Sequence, residues 1–347
     1  MNRPRLLITG ASGFLGSHIV DLALEQAYPV RVIARPSSQL AYLESFGSNI
    51  EIHIGDFQDE DFLEQAMQDI DVVIHSAARV SDIGQYSQFY VDNVSMTEKL
   101  LLCAKRQAVS RFVFVSSPSV VAELKDQFNI DETYPYPRKA LNEYCETKAI
   151  AEQRVLRANT CQFTTCALRP RGIWGPRDFS GPFAKFLKKM HQGKLKNVAG
   201  KKSVFSSMCH AKNAASACLL ATTASHIGGK AYFITDETPI EVWPFADQLA
   251  AQFQIPGVKG HLPQPVLKAL IPTIETIWQI PYLKRRYSPP ASRYAVGLVQ
   301  YSATYNIDRA KQDLGYFPTI STNQGLEDFH QWVSDMGGLD TYLMQVK

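Results

Sequence analysis

The sequence lacks the residue patterns that disulfide-linked and metal-binding proteins usually carry. Its six cysteines form no CxxC pair and show no zinc-ligand spacing, and its eight histidines form no HExxH pair. Reduced thiols are therefore expected, as in a cytoplasmic protein, and no metal site is predicted.

Blocks of like charge and membrane-spanning runs are also missing. Net charge is +3, and lysine and arginine are scattered along the 347 residues, which predicts no nucleic-acid partner. The most apolar late stretch, 265–283, holds Lys268 and Glu275 and is interrupted by proline, so it is a poor bilayer span. A glycine cluster begins within ten residues of the N-terminus, so we expect no cleaved signal peptide there.

What the first half does contain is a regular alternation of short apolar runs and helical patterns. The runs cover 5–9, 29–34, 50–54, 71–77, 111–117 and 163–170, and a later one covers 230–235. Nearly all-apolar strands separated by helices predict a parallel sheet covered on both faces, in this case a doubly wound α/β (Rossmann) sheet. We predict a nucleotide-binding domain over 1–170, to which about 200–236 returns. A smaller, mostly helical substrate domain is predicted over 171–199 and 237–347.

The stretch TGASGFLG places three glycines at the end of the first strand, just before a helical pattern. Gly10, Gly13 and Gly16 allow a tight turn and let a pyrophosphate approach backbone N–H groups at the helix N-terminus. A plain glycine turn is the alternative. The position after the first strand of a βαβ unit favours dinucleotide binding.

The second strand ends in VIARPSS, where NAD-binding proteins usually carry an acidic residue. Arg35 stands there instead, and a guanidinium suits a ribose 2′-phosphate, so NADP(H) is predicted as cofactor. NAD(H) stays an alternative, in which Arg35 only stacks on the adenine. After the third strand, Asp56 and Phe57 are placed to meet the adenine, although Asp56 also suits a helix N-cap. Ala77 and Ala78, after the fourth strand, let backbone lie against ribose and nicotinamide.

Two strand-end serines, a tyrosine and a lysine supply the candidate catalytic group. Ser116 and Ser117 follow the fifth strand, whose carboxyl end faces the cofactor crevice in such sheets. Tyr144 and Lys148 are four residues apart and share one helix face. Tyr144 is the only one of the fifteen tyrosines with lysine at that spacing.

This grouping predicts proton transfer to a carbonyl oxygen. A free tyrosine titrates near pH ~10, and a nearby ammonium together with a positive nicotinamide ring lowers that pKa. A serine hydroxyl on the same oxygen adds polarisation. Each residue alone is more often an ordinary helix or strand-end residue. Together, downstream of a nucleotide loop, they favour carbonyl/alcohol redox chemistry.

The matching segments TGASGFLG, GDF, HSAA, VSSPSV, YCETKAIAE and LRPRGIWGP, with Asn93 and the late segment 305–326, resemble the extended short-chain dehydrogenase/reductases. The resemblance covers most of the chain. It implies that Ser117, Tyr144 and Lys148 are catalytic and that Asn93 supports the helix or a proton-relay water. The cofactor-binding set that we expect is Gly10, Ser12, Gly13, Phe14, Leu15, Gly16, Arg35, Asp56, Phe57, Ala77, Ala78, Tyr144, Lys148, Pro170 and Ile173.

Within that family the chain looks most like the 3β-hydroxysteroid dehydrogenase-like branch. TTCALRPRGIWGPRD and DETYPYP are similar to segments of bacterial 2-alkyl-3-oxoalkanoate reductases of long-chain olefin biosynthesis. The resemblance implies reduction of a hydrophobic β-keto acid. Steroid or sterol dehydrogenation, nucleotide-sugar epimerisation or dehydration, and a non-catalytic NADP-binding role are the alternatives.

Two further expectations concern a lid over the substrate and the oligomeric state. Residues 263–287 have apolar side chains near helical spacing, followed by three basic residues, and we predict a lid over a long apolar substrate or, alternatively, plain core. The apolar positions are Val266, Leu270, Ile274, Ile277 and Trp278, and the basic ones are Lys284, Arg285 and Arg286. Weak membrane association of this segment is less favoured. The resemblance also implies a homodimer formed through 86–107 and 140–157.

Overall fold

A computed structural model describes residues 3–277 and 292–346 of the chain. Its strands are β1 (Leu6–Thr9), β2 (Val30–Ala34), β3 (Ile50–Ile54), β4 (Val72–His75), β5 (Arg111–Val115), β6 (Gln127–Ile130), β7 (Thr164–Pro170), β8 (Ile173–Trp174), β9 (Phe205–Ser206), β10 (Cys209–His210), β11 (Lys230–Ile234), β12 (Ile240–Glu241) and β13 (Ala303–Tyr305).

The helices surround these strands. They are α1 (Phe14–Glu25), α2 (Ala41–Glu44), α3 (Glu60–Ala66), α4 (Tyr86–Phe89), α5 (Met96–Arg106), α6 (Glu143–Arg157), α7 (Pro182–His191), α8 (Ala211–Leu220), α9 (Val242–Phe253), α10 (Gln264–Ile277), α11 (Arg293–Gln300), α12 (Asp308–Leu314), α13 (Thr322–Asp335) and α14 (Leu339–Gln345). Between α4 and α5 the helix widens into a π-helical segment, Tyr90–Ser95.

Seven parallel strands form the main sheet, in the order β11-β7-β5-β4-β1-β2-β3. Each corresponds to one of the seven apolar runs, so the predicted doubly wound Rossmann sheet is confirmed. The chain reverses direction of travel across the sheet between β1 and β4, where the crossovers pass to opposite faces. Ligands bind at such a reversal, outside the carboxyl ends of the strands.

Both faces of the sheet are covered, as the apolar strands require. One core packs α1 and α8 against the sheet, with Ile19, Val20 and Leu219 buried. The other packs α3, α5 and α6, with Leu63, Leu100 and others buried. Because the central strands are enclosed between two helical layers, only their ends are left for chemistry.

A smaller region lies beyond β7. Its own core gathers around aromatic side chains such as Trp174, Phe183 and Phe329. A second sheet, β12-β9-β13-β6, and a β10–β8 pair connect it to the first region. These strands are two to four residues long, too short for a pattern to be read from sequence. The domain bounds at 170, 200 and 236 stay a prediction, since β6 and β11 each join the sheet of the other part of the chain.

The turn between β1 and α1 is the tightest point of the fold. Gly10 has φ +71°, and a Cβ at Gly16 would lie 2.0 Å from the carbonyl oxygen of Gly10. That oxygen also accepts the N–H of Gly13 at 2.9 Å. The first turn of α1 therefore sits directly on the glycine loop.

We predict that Gly16→Ala destabilises the protein by about 1–3 kcal/mol, because the added methyl meets rigid backbone rather than a flexible side chain. Gly257→Ala is the control, since its Cβ would meet its nearest atom, Asp247 Oδ1, at 3.6 Å. Chemical denaturation of both variants measures the difference. Equal unfolding free energies for the two variants would contradict the packing argument.

Candidate active site

The candidate site lies at the carboxyl ends of β5 and β7. These strands are paired in register, Val115 opposite Leu168, and the N–H of Ser116 donates to the carbonyl of Leu168 at 2.6 Å. Ser117, two residues after the end of β5, caps a short 3-10 turn by accepting the N–H of Ser119 at 3.2 Å. The half-buried Ser117 hydroxyl is thereby fixed at the sheet edge.

Helix α6 brings the tyrosine and the lysine to this edge. Asn142 begins the helix by accepting the N–H of Cys145 at 2.9 Å, and its amide donates to the carbonyl of Asp82 at 3.3 Å. The cap places Tyr144 in the first turn and Lys148 one turn later, on the same buried face. Tyr144 is 9% exposed and Lys148 is 2% exposed.

Lys148 is held against the sheet rather than in solvent. Its Nζ donates to the carbonyl oxygen of Val115 at 2.7 Å and lies 4.0 Å from the centroid of the Phe114 ring. Burial lowers the pKa of Lys148 to about 7, and the charge of Glu152, one turn further along α6, opposes that shift. The lysine thus lies close to its charge transition at neutral pH.

Tyr144 is surrounded mainly by apolar groups. It packs with Phe89 and Cys145, and with the partly buried Tyr294. Burial raises the pKa of Tyr144 to about 12, whereas the nearby Ser117 hydroxyl lowers it. The sequence predicted a lowered phenol pKa, but among the chain's own groups desolvation outweighs the polar neighbours. The phenol is therefore held in its protonated form, which can donate a proton.

Ser119 was not predicted as a site residue. Its side chain is 5% exposed, and its Oγ has no hydrogen-bond partner of ordinary geometry among the described residues. It nevertheless lies near enough to Tyr144 to lower the pKa of the phenol. The VSSPSV segment contained this residue, but nothing in the pattern distinguished it from Ser117.

Asn93 lies in the π-helical segment and is 2% exposed. Its Oδ1 accepts the N–H of Arg79 at 2.7 Å, and its Nδ2 donates to Thr147 Oγ1 at 3.1 Å and to the carbonyl of Arg79 at 3.2 Å. Thr147 lies between Tyr144 and Lys148 on α6. Asn93 therefore ties that helix to the loop after β4.

A buried histidine that the sequence did not single out links this asparagine to the glycine loop. His75 is 0% exposed, its Nδ1 lies 2.7 Å from Thr9 Oγ1, and its Nε2 lies 2.9 Å from Thr97 Oγ1. Thr97 donates its own proton to the carbonyl of Asn93 at 2.7 Å, so His75 must donate from Nε2. Thr9 then donates to Nδ1 while accepting the N–H of Ala77 at 3.2 Å. Burial lowers the pKa of His75 to about 3, so the ring is neutral.

The glycine loop has the form that a dinucleotide phosphate group needs. A Cβ at Gly10 would lie 2.7 Å from the N of Ala77, so only glycine lets the two loops meet. Gly13 begins α1 without a side-chain cap, which leaves the N–H groups of the first turn available. Ser12 and Gly13 are exposed, Phe14, Ala77 and Ala78 are partly buried, and Leu15 and Gly16 are buried.

The three residues that we predicted near the adenine of the cofactor differ in how exposed they are. Arg35 is exposed, and its guanidinium makes no ion pair among the described residues. Asp56 is also exposed, but it caps no helix: it accepts the N–H of Gln58 at 2.9 Å, and Asp59 is the N-cap of α3. The N-cap interpretation of Asp56 was therefore wrong. Phe57 is 6% exposed and packs in the core below the loop, which leaves its ring little surface for an adenine.

Pro170 and Ile173 lie at the same carboxyl end of the sheet, on the side of the smaller region. Pro170 ends β7 and is buried, and Ile173 begins β8 and is partly buried. Pro170 is thus the last residue of the strand next to β5, and Ile173 lies three residues beyond it. This is where a nicotinamide would lie if the glycine loop held the phosphates.

The predicted lid is a helix, α10, as far as the structure describes it. Val266, Leu270 and Ile277 are 46%, 42% and 43% exposed, whereas Leu267 is 4% exposed and packs near Val198. The predicted apolar face is thus mostly solvent-exposed, and the buried contact falls on a residue that the spacing did not select. Trp278, Lys284, Arg285 and Arg286 lie outside the described residues.

Comparison with known proteins defines the family. The model of the 3-beta hydroxysteroid dehydrogenase/isomerase family matches residues 7–263. The chain belongs to this family. It is accordingly an enzyme, an oxidoreductase of the extended short-chain dehydrogenase/reductase class.

Curated members of the family cover nearly the whole chain. A 2-alkyl-3-oxoalkanoate reductase of Shewanella oneidensis is 30% identical over 92% of this chain and 84% of its own length. A ketoreductase of Stigmatella aurantiaca, acting on 4-hydroxy-2-methyl-3-oxo-4-farnesyl-3,4-dihydroquinoline-1-oxide, is 31% identical over 94% and 96%. A 3 beta-hydroxysteroid dehydrogenase/Delta 5-->4-isomerase of Mycobacterium tuberculosis is 32% identical over 93% and 89%.

Solved structures share the fold. UDP-glucose 4-epimerase of Thermotoga maritima superposes with a TM-score of 0.74 at 20% identity, covering 96% of this chain and 99% of that one. UDP-glucuronic acid 4-epimerase of Bacillus cereus, in complex with NAD, gives 0.73 at 22% identity with the same coverage. At this identity the likeness shows the Rossmann-type fold alone. In the described part of the chain, no helix is long and apolar enough to cross a membrane.

The pKa of Lys148 makes a pH-dependent stability prediction for this family member. Between about pH 7 and the ordinary lysine value of 10.5, the folded state binds fewer protons at Lys148 than the unfolded state does. Its contribution to the unfolding free energy therefore rises with pH across that window. Denaturation of wild type and Lys148→Met at several pH values should show the difference moving in favour of wild type as pH rises. A pH-independent difference would contradict the depressed pKa.

Proposed function

We propose that the chain is an NADP(H)-dependent reductase that converts a hydrophobic 2-alkyl-3-oxoalkanoic (β-keto) acid to the 3-hydroxy acid. The observation that carries the proposal is the buried, protonated Tyr144 beside Ser117, on the same helix face as a lysine anchored to the sheet. These three side chains supply a proton donor, a hydroxyl that can hydrogen-bond the carbonyl oxygen, and a cation that supports both.

When bound, NADPH would supply the hydride for the carbonyl carbon in the proposed reaction. Tyr144 donates its phenolic proton to the carbonyl oxygen as charge develops there, and the Ser117 hydroxyl donates a hydrogen bond to the same oxygen. Lys148 stabilises the phenolate that remains and binds the cofactor ribose. Asn93 positions α6 through Thr147, so that the tyrosine keeps its place relative to the strand end.

Support for NADP(H) over NAD(H) comes from the end of β2. Arg35 offers an exposed guanidinium, and the Arg35–Ser38 turn is closed by the N–H of Ser38 donating to the carbonyl of Arg35 at 2.9 Å. Positions 34 and 35, where an acidic side chain would bind a ribose 2′-hydroxyl, hold Ala34 and Arg35. A guanidinium recognises a 2′-phosphate through paired, charge-assisted hydrogen bonds.

Support for a hydrophobic substrate comes from the surroundings of Tyr144. Phe89 is buried against it, and Leu141 and Tyr294 pack on the same cluster. Exposed apolar side chains on α10, such as Leu270, offer further surface for a long chain. The two relatives named as 2-alkyl-3-oxoalkanoate reductases, at 30% and 32% identity, support the β-keto acid.

Oxidation of a 3β-hydroxysteroid or sterol is the second candidate, because the same chemistry acts on another apolar ligand and a relative of that name is 32% identical. A panel of a long-chain β-keto acid, a 3-ketosteroid and a UDP-sugar, assayed by NADPH oxidation, separates the candidates. Fastest turnover of the ketosteroid would replace the proposed substrate. Turnover of the UDP-sugar would favour the chemistry of the epimerases that share the fold.

We further propose a homodimer formed through α5 and α6. Val91 and Leu102, on the helical segment that leads through α5, are 44% and 42% exposed. Apolar side chains so exposed on one long helix suit burial against a second copy of the chain.

Tyr144→Phe should lower turnover by about 10²–10⁴, because only the proton-donating hydroxyl is lost while the ring still packs. Single-turnover NADPH oxidation measures the chemical step, and fluorescence titration measures NADPH affinity, which should stay near that of wild type. If the variant kept more than half of the wild-type activity, Tyr144 would not be the acid.

Arg35→Asp should shift preference from NADPH toward NADH. The substitution removes a partner of the 2′-phosphate and adds like-charge repulsion against it. The dissociation constants of both cofactors for wild type and variant give the preference ratio. Equal affinities of the wild type for the two cofactors would reduce Arg35 to an adenine-stacking residue.

A further inference from the structure

Arg171 occupies a position at the candidate site that neither the sequence nor the family comparison assigned. It follows β7 directly, and its backbone N–H donates to the carbonyl of Ile234 at the end of β11 at 3.2 Å. Leu168, three residues earlier, pairs with Val115, two residues before Ser117. Arg171 and Ser117 therefore extend from neighbouring strand ends, about 5 Å apart in the sheet.

The guanidinium of Arg171 has no acidic partner. Among the described residues no carboxylate lies within ion-pair distance of it, and its Nε is buried without a hydrogen-bond acceptor. The arginines on either side along the chain are paired: Arg169 binds Glu152 at 2.6 Å, and Arg177 binds Asp21 at 2.5 Å. Arg169 and Arg177 also carry one buried nitrogen without an acceptor, so the feature that distinguishes Arg171 is the lack of a carboxylate partner. Its side chain reaches the neutral phenol of Tyr305, which leaves its charge and its buried Nε for a further anion.

Its neighbours place that charge beside the catalytic tyrosine. The Arg171 charge lowers the pKa values of the Tyr294 and Tyr305 phenols, which burial raises. Tyr294 packs on the cluster that contains Tyr144; burial raises the pKa of the Tyr294 phenol, and the Tyr144 phenol raises it further. Arg171 and Tyr144 thus both lie near Tyr294.

The cofactor phosphates are not the missing acceptor. β7 is separated from β1, which carries the glycine loop, by β5 and β4. Three strand spacings put Arg171 about 14 Å from that loop. This separation of the two strand ends favours an anion on the substrate side of the cleft as the partner of Arg171.

We propose that Arg171 binds the carboxylate of the substrate and so selects β-keto acids over neutral ketones. This inference rests on the proposed reductase function and names the group that recognises its substrate. In a β-keto acid the carboxylate lies one carbon from the carbonyl, so a guanidinium one side chain away from Tyr144 holds both groups in place. A planar guanidinium binds a carboxylate through two parallel hydrogen bonds.

The test compares 2-methyl-3-oxododecanoate with its methyl ester as substrates for wild type, Arg171→Met and Arg171→Lys. Arg171→Met should lower kcat/KM for the acid by about 30- to 1000-fold, because the carboxylate loses its partner in a desolvated site. The ester should change by less than about threefold. Arg171→Lys should recover part of the loss on the acid, since it keeps the charge without the paired geometry.

Arg106→Met is the matched control. Arg106 ends α5, its ion pairs among the described residues are with Glu60 and Glu64, and its side chain is 50% exposed. Neither substrate should be affected, and thermal unfolding of all variants reports any loss of folding. Equal losses on acid and ester in Arg171→Met, or no loss on the acid, would overturn the carboxylate role.

A separate measurement tests the Arg171 subsite in case the proposed substrate is wrong. If wild type reduces no β-keto acid, binding of decanoate in the presence of NADP⁺ is measured by calorimetry for wild type and Arg171→Met. Binding to wild type alone supports an anion subsite at Arg171 and shows that only the substrate was wrong. Equal binding to both proteins, or no binding to wild type, overturns the subsite.

Discussion

The hydrogen bond from Lys148 Nζ to the carbonyl of Val115 is the contact on which the geometry of the site depends. It joins the middle of α6 to the last residue of β5, at 2.7 Å and out of solvent. Since Tyr144 is one turn before Lys148 and Ser117 is two residues after Val115, this bond fixes the distance between them. It also takes a lysine out of water, which is why the pKa of Lys148 falls toward neutrality.

Two buried polar groups reinforce the same placement. Glu152, one turn after Lys148, pairs with Arg169 on β7 with side chains 0% and 3% exposed. His75 links β1, β4 and α5 through two threonine hydroxyls. Interactions of this kind contribute little net stability but cost much when one partner is removed, so they specify one arrangement of helix on sheet. Arg171 differs from both because it has no carboxylate partner among the described residues, and for that reason we assign it to a ligand rather than to the fold.

The sequence was a good guide where local pattern and tertiary environment agree. Enclosed strands such as β1 and β2 must be apolar on both faces, so their positions could be read directly, and the glycines had to be where backbone meets backbone. The sequence was a poor guide where several residues suit the same structural role. Asp56 and Asp59 both suit an N-cap, and only the path of the chain before α3 decides between them. On α10, helical spacing selected Val266 and Leu270, but the helix turns Leu267 inward.

The sequence by itself determined the Rossmann sheet, the nucleotide loop, and the Tyr144–Lys148 pair, because each depends on residues close together in the chain or on a repeated pattern. The tertiary structure alone decided what those residues experience. Burial of Tyr144 raises its pKa although a lysine lies one turn away, since desolvation depends on every element packed around it. The roles of His75 and Arg171 were decided in the same way: His75 is held by threonines from two other elements, and Arg171 has no carboxylate partner among the described residues.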